Sequence, residues 1–348
     1  MNSSPGDVTM KDIARVLHLD PSTVSLSLKG DLRLKASTRE KVRACAERLG
    51  YVPHPMLSAL SHYRHTGHLK LVTSSLAFLC PVSLGEMRER HAHFDLWEGA
   101  RACALSMGYR LELFKIDHDP DHARQLERIL HARGITGIIY APILEEKAPP
   151  PIHWENYSVI LIEGQNLDMQ VHKISNDQTA ITREAVARLD KKGYRRIGLA
   201  VGSREEESLR HAFSAGYYIE MALRPHLDLI SPFYLAYPRG PFYPEFRQWM
   251  QRNRCDVVLS NWDATAAALR EAGYRVPEDI AVASLDHTSG EGANAGMRQN
   301  SRAVGARALE QLSMLVKSSQ RGFITTPNTT LIPGTWIEGS DLPDKVSA

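Results

Sequence analysis

From Leu76 onward the chain alternates short apolar runs with helical stretches, and this alternation limits the fold more than any other feature. The runs LAFLCPV, YRLELFKI, ITGIIYAP, SVILIE, RRIGLAVG, DVVLS and IAVASLD have strand length, and segments such as DLWEGARACALSM and TAITREAVARLDKKG lie between them. Strands separated by helices pair in parallel and need helices on both faces of the sheet. This many strands fit two such layers better than one. The expected body is therefore α/β, a pair of doubly wound subdomains. Ligands of such folds bind at the carboxyl ends of strands, so an effector would sit in the cleft between the subdomains.

The first 70 residues differ in charge: eleven Lys and Arg stand against six Asp and Glu, whereas the remainder carries 31 against 34. A small basic head before a slightly acidic body suits nucleic-acid binding, and it equally suits a solvated basic surface. Three short helices are expected in the head. Thr9 with Asp12 caps the first, which buries Ile13, Ala14 and Leu17 and ends near His18. Asp20 at the N-cap and Pro21 at the first helical position open the second sharply, after a turn of about three residues. Ser37 and Glu40 read as a capping box for the third, whose Val42, Cys45, Ala46 and Leu49 share one face and whose Gly50 suits the C′ position.

The second helix, PSTVSLSLKG, shows Ser22, Thr23, Ser25 and Ser27 where a water-facing helix would carry Glu and Lys. Two helices joined by a tight turn, the second bearing short hydroxyls, describe a helix-turn-helix with a recognition helix for the major groove. Serine and threonine let the backbone come close to DNA and donate to phosphates and base edges, and Leu26 can meet a thymine methyl. A helical bundle that binds protein is the competing reading.

Composition and motifs exclude other classes. With 43% apolar and 24% charged residues the chain is ordinary for a soluble protein. It contains no apolar run of about 18 residues and opens with no basic-then-apolar signal, so neither a membrane span nor export is expected, and the cytoplasm is the default. Cys45, Cys80, Cys103 and Cys255 are scattered without a CxxC pair, which argues against disulfides and zinc. His62, His65 and His68 recur every third residue, but no carboxylate or thiol completes a site, so no metal and no cofactor is expected. No GxSxG, GxxxxGK[ST] or HExxH motif points to an enzyme.

VTMKDIARVLHLDPSTVSLSLKG, then STREKVRACAERLGYVPHP, then MLSAL resemble the head and hinge of the lactose-repressor (LacI/GalR) family of bacterial transcription regulators. VPEDIAVASLD and AGMRQNSRAVGARALEQL resemble that family's sugar-binding core. The resemblance implies phosphate contacts for Thr9, Ser25 and Tyr51, with Lys29 and Arg39 as further partners, and base contacts for Pro21, Ser22 and Leu26 beside Thr23. It implies that MLSALSHYR, too short to hold a helix alone, pairs with its twin in the minor groove. There Leu60 wedges between base pairs, Ala59 permits close approach and His54 touches the backbone; an amphipathic linker docked by Leu60 is the plainer alternative. In the core, Asp286 would hydrogen-bond the effector, with Asp177 and Asn261 nearby. Phe94, Trp97, Phe213 and Trp262 are ring platforms or plain core residues.

Four positions and the length of one helix depart from the family pattern. Leu26 stands where Arg is common, which removes a guanine contact worth about 1 to 3 kcal/mol. His18 replaces a turn Gly, and Lys35 replaces the Ser that opens the third helix, leaving the cap to Ser37. Phe213 replaces an Arg three residues before Gly216, with Arg210 one turn earlier, and the helix between Asp263 and Gly273 is about one turn short.

The expected organisation is a DNA-binding head over 1–53, a hinge over 54–71, a core over 72–340 and a tail over 341–348. Within the core, one subdomain takes about 72–165 and 300–323, the other about 166–299 and 324–340. The expected function is a homodimeric regulator, a repressor of a near-palindromic operator in double-stranded DNA, modulated by a small molecule of carbohydrate type. A constitutive DNA binder whose core only dimerises is the alternative, and a solute-binding protein is a further one that the head contradicts. SDLPDKVSA lacks the leucine heptads of a tetramerising coil.

Overall fold

A computed structural model describes residues 10–28, 34–49, 51, 74–89, 91–141, 148–164, 169–235, 244–287 and 295–345. The chain divides into two compact units, residues 1–72 and 73–348.

In the first unit α1 (Met10–Leu17), α2 (Pro21–Leu28) and α3 (Ala36–Leu49) enclose Ile13, Ala14, Val24, Val42, Cys45 and Ala46. α1 ends in a Schellman motif. His18 takes the left-handed conformation (φ 51°), and the Leu19 and His18 N–H groups return to the Ala14 and Arg15 carbonyls at 3.0 and 3.4 Å. Histidine thus performs the turn that glycine would make with less strain. Asp20 caps α2, its carboxylate accepting from the Ser22 N–H at 2.8 Å. Hydrogen bonds from the Ser22 hydroxyl and then from its N–H lower the carboxyl's pKa. The opening of α3 differs from expectation. The Lys35 carbonyl accepts from the Thr38 and Arg39 N–H groups at 3.0 and 3.2 Å, so the helix starts at Ala36. Ser37 lies inside the first turn and is not the cap, because Ala36, the best helix former, joins the helix ahead of it. The proposed caps Thr9 and Gly50 lie outside the described residues.

The second unit runs β1 (Ser75–Cys80), α4 (Leu84–Glu89), α5 (His91–Ser106), β2 (Arg110–Lys115), α6 (Pro120–Ala132), β3 (Gly137–Tyr140), β4 (Ser158–Ile162), β5 (His172–Asn176) and α7 (Gln178–Lys191). It continues through β6 (Ile197–Gly202), α8 (Ser203–Ser208), α9 (Ala212–Leu223), β7 (Phe233–Leu235), α10 (Pro244–Asn253), β8 (Val257–Ser260), α11 (Thr265–Glu271) and β9 (Ala281–Ser284). It closes with β10 (Gly296–Arg298), α12 (Ser301–Lys317), β11 (Thr329–Ile332) and β12 (Thr335–Ile337).

Two six-stranded sheets result, ordered β11-β5-β4-β3-β1-β2 and β12-β10-β9-β8-β6-β7. Set aside the two late strands and both read 2-1-3-4-5, the flavodoxin-like doubly wound order. All pairs are parallel except β10 with β12. The seven apolar runs all become strands. β5, β7, β10, β11 and β12 escape the sequence pattern because HKISN, FYL, GMR, TTLI and TWI are too short or too polar to read as buried strands.

The subdomain boundaries shift accordingly. β5 and β11 belong to the first sheet, so the chain crosses to the second after 176 and after 332, not at 166 and 324. The supposed tail also packs on the core: Leu342 is buried, the Tyr194 hydroxyl donates to the Pro343 carbonyl at 2.8 Å, and Lys192 pairs with Asp344 at 2.9 Å. A glycine pair sets the tightest helix contact. A Cβ on Gly305 of α12 would lie 2.0 Å from the Leu96 carbonyl of α5, and one on Gly99 of α5 2.0 Å from the Arg302 carbonyl of α12.

Candidate functional site

α2 divides its side chains between two duties. Val24 and Ser27 are fully buried; Pro21 and Ser22 are exposed, and Thr23, Ser25 and Leu26 are half-buried along the outward side. Ser27 therefore corrects the expected display of hydroxyls. It lies at helical spacing from Val24 on the inner stripe, and its hydroxyl has no hydrogen-bond partner among the described residues. Arg39 and Tyr51 are half-buried, and burial raises the pKa of the Tyr51 phenol. The Tyr51 N–H donates to the Ala46 carbonyl at 2.9 Å, closing α3. Thr9, Lys29, His54, Ala59 and Leu60 lie outside the described residues, as do His62, His65 and His68.

In the second unit the strand ends bring acids together. Glu163 follows β4, held at φ 57° with its N–H on the Ile174 carbonyl at 2.9 Å. Asp286 follows β9 of the other sheet, and its N–H donates to the Ser284 hydroxyl at 3.1 Å. Desolvation pushes the Asp286 carboxyl up to about 7, helped by the negative charges of Asp263 and Glu163. Glu163 is raised too, by burial, against hydrogen bonds from Asn176 and Gln178. Two carboxyls from two sheets thus lie close enough to oppose each other's ionisation.

The crossings between the sheets are tied beside this pair. Asn176 donates through Nδ2 to Glu163 at 3.3 Å and accepts from the Asn300 N–H at 3.1 Å. Asn300 in turn donates through Nδ2 to the Pro333 carbonyl at 2.6 Å. One residue of each of the three connections therefore takes part in a single hydrogen-bonded knot.

The residues anticipated for the cleft fare unequally. Asp286 is at a strand end as expected, and Asn261 follows β8, its side-chain oxygen accepting from the Gly202 N–H at 3.2 Å. Asp177 is spent as the cap of α7, accepting from the Ala180 N–H at 2.9 Å. Phe213 is 1% exposed in the core of the second sheet, and Trp262 packs edge-on against Phe246. Trp97 packs edge-on against Phe78, with ring centroids 5.4 Å apart. Phe94 borders the same cluster as Trp97, beneath the Arg88 guanidinium. Trp97, Phe213 and Trp262 serve packing, since each buries a large apolar area that a half-open platform would leave wet, whereas Phe94 stays half-buried. Arg210 is exposed, at φ 52°.

Sequence reasoning missed Glu163, Asp263, Asn176 and Gln178. Glu163 carried a signal, since it ends the run SVILIE as Asp286 ends IAVASLD. It also missed Glu206, fully buried, which accepts from the Phe213 and Ser214 N–H groups at 3.1 and 3.3 Å and so caps α9.

Known proteins match both units. The profile of bacterial regulatory proteins of the lacI family covers residues 9–54. That of periplasmic binding proteins and the sugar-binding domain of the LacI family covers 87–223, and that of periplasmic binding protein-like domains covers 186–340. The chain belongs to the lacI family of bacterial regulatory proteins. This lacI-family regulator is 24% identical to catabolite control protein A of Staphylococcus epidermidis over 291 residues, 81% of this chain and 83% of that one. It is 25% identical to the transcriptional repressor CytR of Escherichia coli over 297 residues, 80% of each chain. In fold it is similar to the regulator CelR in its cellobiose complex, with a TM-score of 0.59 at 18% identity over 96% of this chain and 99% of that one. The lac repressor dimer bound to operator and the anti-inducer ONPF gives a TM-score of 0.57 at 20% identity over 97% and 99%. The regulator is thus a DNA-binding protein with a core of the sugar-binding kind. Among its described residues no helix is long and apolar enough to cross a membrane.

Proposed function

We propose that the protein is a cytoplasmic homodimeric repressor, with no catalytic role, whose two heads read the halves of a near-palindromic operator. Pro21, Ser22, Thr23, Ser25 and Leu26 read bases and phosphates from α2, with Thr9, Lys29, Arg39 and Tyr51 on the flanking backbone. Paired hinge helices open the minor groove between the half-sites, Leu60 wedging in beside Ala59 and His54. A small sugar-like effector binds at the strand ends around Asp286 and Asn261, changes the angle between the subdomains and so alters the hinges. Effector and operator then shift each other's affinity by one common factor.

The observation that carries this reading is the outward face of α2, short hydroxyls and one leucine on a helix whose opposite stripe is fully buried. The CelR relative was solved with cellobiose and the lac repressor with operator, which favours the same two ligand classes here. A second reading, a constitutive DNA binder, draws on the burial of Phe213 where the family pattern has an Arg.

The test is selection of bound sequences from random duplex DNA at fixed salt, followed by affinity for the winner with and without a panel of sugars. A near-palindrome with a flexible central step, whose affinity a sugar changes, is the expected outcome. A palindrome insensitive to every small molecule tried would favour the constitutive binder. No enriched sequence would remove the reading.

A further inference from the structure

α9 breaks a pattern that the other long helices of the second unit keep. Among the described residues α5, α6, α7, α10 and α12 each turn a charged side chain to solvent, as Arg101, Arg124, Arg183, Arg247 and Arg302 show. α9 has one charge, Glu220, and buries it to 4% exposure. Its outward residues are Ala215, Tyr218, Ile219, Ala222 and Leu223, the last 63% exposed. Exposed Tyr234 of the edge strand β7 widens this face, its hydroxyl 3.0 Å from Ser214 Oγ of α9. A helix apolar on every side is ordinarily covered on every side, and a contiguous exposed apolar patch marks a contact surface.

α7 lies alongside, its Thr179 hydroxyl donating to the Ala212 carbonyl at 3.1 Å and its Arg183 Nε to Glu220 at 2.7 Å. Beside the two helices runs an open groove of about 670 Å³, lined by Ala180 and Ala187 of α7 and by Leu223 of α9. Its charges cancel, since Arg183 and Arg224 stand against Glu184 and Glu220. The groove therefore selects neither an acidic nor a basic partner. Arg224 bonds Glu220 and, at 3.1 Å, Asp190, so the rim is held in place before a partner arrives. Arg183 and Glu184 are chain neighbours of opposite sign, each side chain 46% exposed. Turned about a two-fold axis, such a pair matches its own copy, each charge meeting the opposite one. The shape matches itself as well. Ala215 and Ala222, seven residues apart, leave hollows on either side of Tyr218 and Ile219, and Leu223 offers a knob to the groove of another copy.

We infer that the α9 face binds a second copy of this chain in an isologous contact, α9 against α9, with Leu223 of each copy entering the groove beside α7 and α9 of the other. The same patch then serves both copies, so the contact closes on itself and stops at a pair. Tyr218 and Leu223 are its apolar anchors, and Arg183 with Glu184 forms the polar rim, the division of labour usual at protein interfaces. A regulator with two heads needs a second copy, and the α9 face gives that copy a place to bind, whatever fills the cleft.

The test is sedimentation of the full chain between about 1 and 100 μM, a range that reveals micromolar association, beside the variants Leu223→Glu and Tyr218→Glu. Both side chains are exposed, so far-ultraviolet circular dichroism should not change. The wild type is expected to sediment as an even number of copies. Each variant should move toward half that mass, its association weakened about tenfold or more, the scale of one interface anchor. A fall from four copies to two and a fall from two to one both bear the contact out, the first with operator affinity kept and the second with it lost. Variants that associate as tightly as the wild type would overturn the α9 contact and leave the two-headed regulator to another interface. A wild type that stays monomeric over the whole range would overturn both.

Discussion

The head and the core place their working groups on opposite sides of their hydrophobic interiors. In the head, Ser22, Ser25 and Leu26 lie on the outer side of α2, while Ile13, Val24, Val42 and Cys45 hold the helices together beneath them. In the core, Glu163 and Asp286 sit at strand ends where burial works against their charge. The head can therefore change what it reads at little cost to its fold. The core holds acids that oppose its own stability, and must be held together by packing elsewhere.

That packing gives the largest expected effect. Gly305→Val in α12 would drive a side chain into the Leu96 carbonyl, already 2.0 Å from where a Cβ would stand. The two helices must part, which overpacking data put at about 3 kcal/mol or more. Urea unfolding followed by far-ultraviolet circular dichroism measures it. A loss below about 1 kcal/mol would show that α5 and α12 slide freely, and the contrast with the head would lose its basis.

The next effect has the opposite sign. Asp286 keeps its proton in the folded state up to about pH 7, whereas an unfolded aspartate releases it near 4. Between those values the folded chain binds more protons, so stability falls as pH rises through the window and the full penalty stands above pH 7. The groups acting on Asp286 are Asp263 and Glu163. Asp286→Asn should therefore gain about 1 to 2 kcal/mol at pH 8 and nothing near pH 4, after allowance for solvent around a partly exposed carboxyl. Equal stability of variant and wild type at both pH values would mean that the acid is not strained at all.

A third, smaller loss tests the knot that ties the sheets. Asn300→Ala removes the side-chain donor to Pro333 and should cost about 1 kcal/mol. The same unfolding measurement reads it, and an unchanged midpoint would mean that water replaces the bond without loss.

The two regions also differ in how far they could be read from sequence. The outward side of α2 was legible because one helix carries it: the cap at Asp20, proline at 21 and period of 3.6 assign each residue a side. Only Ser27 was misplaced, since a serine on the inner stripe looks like one on the outer until its neighbours are packed. The cleft gathers the ends of β4 and β9 from different sheets, and only the topology brings Glu163 to Asp286. The role of the aromatics stayed open for a related reason. Composition gives no means to tell a ring that caps a cleft from one that fills a core, and here packing took Trp97, Phe213 and Trp262.

The smallest expected effects set two serines of one helix against each other. Ser27 is fully buried with an unpartnered hydroxyl, so Ser27→Ala removes a desolvated polar group and adds a better helix former. It should stabilise the head by about 0.5 to 1 kcal/mol and leave operator affinity within about twofold, because that side chain never reaches the DNA face. Ser22 is exposed, and to the fold it gives its backbone N–H, which alanine keeps for Asp20, and a hydroxyl hydrogen bond to the same carboxylate, which alanine loses. Ser22→Ala should cost the exposed cap no more than about 1 kcal/mol and weaken operator binding by roughly tenfold, the scale of one lost base or phosphate contact. Thermal unfolding of the head's helices and titration of the selected operator measure both variants in parallel. If Ser27→Ala weakened DNA binding and Ser22→Ala did not, the inner and outer stripes of α2 would be exchanged, and with them the division of labour between packing and recognition on which the head depends.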